Sequence, residues 1–179
     1  MAIKYKAGDV ILTDSPGLFS ALILFFTRRL AEWRGKRVPF SHAAIVVDPL
    51  YCVQALSTVV KTPLSERLSA KESKRYLILR PVYLSCAERE AAASVAIRQI
   101  GRPYSAWRLF LFLLDDATNT RKFAEWDTDK HSQVCSSLVA FCFKNDYKFD
   151  GVPWEACAPE DVWLDYQAHP SRYKVVSER

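Results

Sequence analysis

The chain has no CxxC pair. Its five cysteines, Cys52, Cys86, Cys135, Cys142 and Cys157, are odd in number and widely spaced. That argues against a disulfide framework and against a structural zinc site, and it suits a reducing compartment. Long apolar runs are also missing. The longest stretch, LFSALILFF at 18–26, falls well short of the ~20 residues that span a bilayer. The start, MAIKYKAGDVILT, lacks the apolar segment of a signal peptide. A cytosolic product is therefore expected, or one delivered elsewhere without a standard signal. Internal repeats, low-complexity tracts and linkers are absent, and histidine occurs only three times.

What remains is ordinary for a soluble globular chain. Its 179 residues suit one domain, 1–179, with a sizeable core. Half are hydrophobic and a quarter are charged. The net charge of +5 favours an anionic partner such as a cell-wall polymer or a membrane surface. The basic residues are dispersed along the chain, so charge alone gives no case for nucleic acid.

Hydrophobic patterning predicts strands at 9–14, 42–47, 51–56, 76–81 and 173–176. The strands at 42–47 and 51–56 form a hairpin about Asp48-Pro49. Helices are predicted over 17–34 and 105–114, from about Cys135 to Lys144, and from Pro159. Ser85 and Glu88 have capping-box spacing for a further helix that Gly101 ends. Thr62-Pro63 opens a short helix with the proline at its first position. Residues 115–131 are polar and read as a loop. The fold class is α+β.

The chemistry centres on Cys135, in HSQVCSSLVAFCFK. With Leu138, Val139 and Cys142 it marks one apolar helix face, which suits a simple buried thiol. The polar DTDKHSQ before it places it at the helix start instead. There the helix dipole and free N–H groups favour a thiolate and can stabilise an oxyanion. A cysteine nucleophile needs a base, and three histidines are available. His131 lies in the polar stretch, and His169 precedes Pro170 as a surface residue. His42 begins the strand in FSHAAIVV, shares a face with Ala44 and Val46, and is held rigidly with room beside its ring. Gln54 stands on the neighbouring strand, where it can orient the second ring nitrogen or simply face solvent. Asp48 is the rival orienting group, but the turn places it at the far end of the strand.

Four segments in this order resemble the NlpC/P60 cysteine hydrolases: GDVILT, SHAAIVV, IGRPYSAW and VCSSLVAFCF. In the usual arrangement the cysteine precedes the histidine strand. Here His42 precedes Cys135, which is similar to the circularly permuted YiiX/YaeF-like and lecithin:retinol acyltransferase-like branches. VVKTPLSERL and CAPEDVWLD also look YiiX-like. The resemblance covers most of the chain. It implies a circularly permuted papain-like fold, with a small antiparallel sheet packed against the nucleophile helix. It further implies Cys135 as nucleophile, His42 as base, and Tyr104, from the Gly-x-Pro-Tyr match, lining the site. The chain departs from the pattern at Gln54, where glutamate is common, at Val134 in place of aspartate, and at Ser136-Ser137 in place of Ser-Gly.

The function expected on this basis is a cysteine hydrolase acting on an amide or ester, by default a cell-wall peptide, with no metal or organic cofactor. A lipid-linked acyl substrate is the alternative, supported by the apolar helix at 17–31 and by WRLFLFLL. A binding module that has lost turnover is the reading from another class.

Overall fold

The structure, a computed structural model, describes residues 5–14, 39–104, 118, 135–143, 149, 152, 154 and 157–179. The helices expected over 17–34 and 105–114 lie outside the described residues, as does the expected loop apart from Thr118.

Six antiparallel strands form one sheet: β1 (Val10–Thr13), β2 (His42–Asp48), β3 (Tyr51–Ala55), β4 (Val59–Pro63), β5 (Tyr76–Pro81) and β6 (Tyr173–Glu178). Their order is β4-β3-β2-β1-β5-β6, so the first strand in the chain lies near the middle. Four helices accompany them among the described residues: α1 (Leu64–Arg67), α2 (Cys86–Arg98), α3 (Cys135–Cys142) and α4 (Pro159–Ala168).

Both faces of the central strands are buried. Val10, Leu12, Ala43, Ile45, Val53, Leu77 and Leu79 pack with Ala92, Ala96, Leu138, Val139 and Val162 of the helices. On the other face Ile11, Ala44, Val46, Cys52 and Ile78 pack with Leu64 of α1. This explains why HAAIVV is apolar without alternation: each side chain has an apolar layer to enter.

The expected capping box is present. Glu88 N–H donates to Ser85 Oγ at 3.3 Å, and Ser85 N–H donates to Glu88 Oε2 at 2.6 Å. Gly101 follows this helix in the left-handed region, with φ +89°. Gly8 is under a tighter constraint. Its φ is +80°, and a Cβ there would lie 2.5 Å from the Cβ of Arg89, so only glycine lets β1 approach α2 so closely. Asp9 next to it is fully buried and forms a two-pronged ion pair with Arg80 of β5, at 2.7 and 2.8 Å. The Gly-Asp pair therefore closes the packing at this end of β1.

One expectation is corrected. Residues 59–63 form β4, paired along β3 from Ala55↔Val59 to Tyr51↔Pro63. Pro63 is the last strand residue and the N-cap of α1, which begins one residue later than expected. Pairing with β3 outweighs the local helix-start signal.

Candidate active site

His42 is the first residue of β2 and pairs directly with Thr13 of β1. The β2–β3 register, Ile45↔Val53 and Val46↔Cys52, puts Gln54 on the same sheet face as His42, one diagonal step away. The two side chains meet there, with His42 Nε2 2.9 Å from Gln54 Oε1. Because the amide oxygen only accepts, Nε2 carries the proton, and Nδ1 retains the lone pair needed by a base. Gln54 is fixed in turn, its Nε2 donating to Thr62 Oγ1 at 2.9 Å. His42, Gln54 and Thr62 are all buried, so the chain of bonds runs through a region that water does not compete for. Asp48 sits at the hairpin turn, where it accepts from the N–H groups of Leu50 and Tyr51 and pairs with Lys61. It takes no part in orienting the ring.

Cys135 opens α3 from the opposite side of the sheet. It meets β2 near the strand start, where the backbone N–H of Ala43, the residue after His42, favours the ionised sulfur. Ser136 beside it donates to the carbonyl of Cys157 at 2.7 Å, which ties the start of α3 to the segment leading into α4. Tyr104 is half-buried, and its backbone N–H donates to Ser57 O at 3.1 Å. Burial, and then the nearby Cys135, push its phenol well above the usual tyrosine value. The structure joins His42 to Gln54 directly, sets Cys135 within reach of the Ala43 N–H next to His42, and leaves Tyr104 within electrostatic reach of Cys135. No hydrogen bond joins the His42 and Cys135 side chains among the described residues. His131 lies outside the described residues, and His169 is exposed at the end of α4.

The electrostatics correct one expectation. The helix start was expected to lower the thiol pKa. Burial instead raises that of Cys135 above the usual cysteine value, against opposing contributions from the Ala43 N–H, Ser136 and Arg67. Burial also lowers His42 to about 3, helped by the charge of Arg67 and opposed by the bond to Gln54. The resting pair is therefore a neutral thiol and a neutral imidazole, not a thiolate and an imidazolium. Charge formation costs more here than the helix end returns.

Three further residues shape this site, Thr13, Thr62 and Arg67, and none stood out in the sequence. Arg67 is 3% exposed, and its guanidinium donates to Thr13 Oγ1. Within LSERL it has the look of a surface charge. Thr62 and Val59 are the buried positions of β4, a spacing that shows no strand alternation, and the helix-start signal of Pro63 draws Thr62 out of the strand.

No family model and no curated protein matches the chain. Among solved structures it is similar to the metalloprotein YiiX from Escherichia coli O157:H7, with 18% identity, 98% of each chain covered and a TM-score of 0.64. The chain therefore has a YiiX-like fold.

Proposed function

We propose that the chain is a cysteine hydrolase with a circularly permuted papain-like arrangement, cleaving an amide or ester through an acyl-enzyme. The observation that carries this is the buried His42–Gln54–Thr62 relay. It holds a neutral imidazole through one nitrogen at the start of β2, next to Ala43, whose N–H is within reach of the thiol that opens α3.

With both groups neutral at rest, the proposed mechanism has His42 act as a general base only as the sulfur attacks, working against its lowered pKa. As Cys135 Sγ bonds to the acyl carbon, its proton passes to His42 Nδ1. The same proton then goes to the leaving nitrogen or oxygen as that bond breaks. Water attacks the thioester while giving its proton to His42, the carbon–sulfur bond breaks, and the thiol is restored. Gln54 keeps the ring in register throughout. Its neutral amide holds the imidazolium less strongly than a carboxylate would.

YiiX is described as a metalloprotein, but no group of three or more His, Cys, Asp or Glu among the described residues of this chain is placed to hold a metal ion. The proposed steps rest on the chain's own side chains. Cell-wall peptide is the default substrate, taken from the NlpC/P60 resemblance.

A second reading, a binding module without turnover, draws on the burial-raised thiol and on the absence of a direct His42–Cys135 bond. Mass spectrometry separates the two. Incubation with cell-wall fragments or lipid extract should leave an acyl group on Cys135 that is missing in Cys135→Ala and in His42→Ala. Failure to trap an adduct from either pool, with ligand retained non-covalently, overturns the hydrolase.

A further inference from the structure

Arg67 is a buried cation set beneath the candidate site. Its guanidinium donates to Thr13 Oγ1, and Thr13 is the residue paired with His42 across β1 and β2. Its backbone is held as well, since Ser73 Oγ donates to Arg67 O at 3.1 Å. The carboxylate paired with it, Glu72, stands 4.0 Å away and is 53% exposed, so water screens that partner while Arg67 stays dry. Among the described residues, the titratable and charged groups that act on Arg67 include His42 from β2, Cys52 from β3, Cys135 from α3, Asp14 after β1 and Glu72 after α1. Burial lowers the pKa of Arg67, yet a guanidinium keeps its proton wherever the fold survives. The charge is permanent and fixed in place.

We propose that Arg67 is a positioning residue of the Cys135–His42 pair, a fixed positive charge tied by Thr13 to the strand position opposite His42, which repels a proton from the ring and attracts electron density to the sulfur. The inference rests on the cysteine-hydrolase reading and adds to burial a second influence that keeps the base unprotonated. A fixed cation opposes imidazolium formation and favours the sulfur anion. The two effects offset each other while the proton moves from thiol to ring. What the cation changes is the resting state: it adds to burial in keeping the lone pair on His42 available in acid, where an ordinary histidine would already be charged.

The test is the pH dependence of Cys135 alkylation by iodoacetamide, followed by mass spectrometry at that residue, in the full chain and in Arg67→Met, Arg67→Lys and Thr13→Val. Melting curves confirm that each variant is folded. The alkylation midpoint should rise by at least about half a pH unit in Arg67→Met, roughly threefold in thiolate population. Arg67→Lys should restore most of that shift by returning the charge. An unchanged midpoint in folded Arg67→Met overturns the proposal. Should that variant not fold, the near-isosteric Thr13→Val decides on the same readout, because releasing the guanidinium from its anchor must raise the midpoint, and no change overturns it. This outcome is separate from that of the hydrolase reading, which stands or falls on the acyl group trapped on Cys135.

Discussion

Two arginines flank β1, Arg67 buried and Arg80 partly buried, and their surroundings differ. Arg80 meets Asp9, which is fully buried, through two short bonds, and the pair raises its pKa. Arg67, at the other end of the strand, meets a hydroxyl and a half-exposed carboxylate at 4.0 Å, and burial lowers its pKa. The first cation is held by a fully buried carboxylate on the neighbouring strand. The second is held to Thr13, across the strands from His42, and its charge is one of the influences on His42 and Cys135. One end of β1 uses a cation to hold the sheet together, and the other keeps one close to the candidate site.

Breaking the matched pair should cost most. Asp9→Asn leaves Arg80 without its carboxylate in a largely buried setting, and urea unfolding should show a loss of about 3–5 kcal/mol. Gly8→Ala, one residue away, forces a side chain into a left-handed φ and against Arg89. A loss of about 1–3 kcal/mol is expected from the same measurement.

At the Arg67 end the signature is pH dependence. His42 has a folded pKa of about 3 against an ordinary 6.5. Above pH 6.5 both folded and unfolded forms are neutral, and the residue adds no pH dependence. As pH falls from 6.5 towards 3 the unfolded chain takes up a proton that the folded chain refuses. Stability should therefore fall by up to about 1.4 kcal/mol per pH unit. His42→Gln should flatten that limb in denaturation curves at pH 7, 5 and 4. Gln54→Glu sharpens the contrast by giving the ring the kind of partner Arg80 has. The His42 midpoint, followed by NMR, should then rise towards the ordinary value. Smallest of all, Glu72→Gln removes a screened carboxylate, and should change unfolding free energy by less than about 1 kcal/mol.

Much of this was legible from sequence for a clear reason. His42 and Gln54 meet because strand alternation and a short hairpin set their register, and both are local. Gly8-Asp9 was visible as a motif, but its cause, packing on Arg89 and pairing with Arg80 71 positions away, is tertiary. The thiol was misjudged because a helix start can be seen in sequence, whereas the depth of burial that overrides it cannot. Thr62 was hidden by a proline whose helix-start signal is real but yields to pairing with β3. Arg67 was hidden because a four-residue helix carries no periodicity to show which side faces inward.

The position of β2 has a consequence for motion. His42 lies on a central strand, with Thr13 on one neighbour and Gln54 on the other. Opening the site means separating strands that hold the sheet together, so the backbone amides around it should exchange with solvent only as slowly as the whole domain unfolds, while those of the edge strand β6 exchange sooner. Among the described residues, the amides around His42 and Gln54 should be among the slowest to exchange. On the proposed reading, a ligand of Cys135 meets a wall built of paired strands.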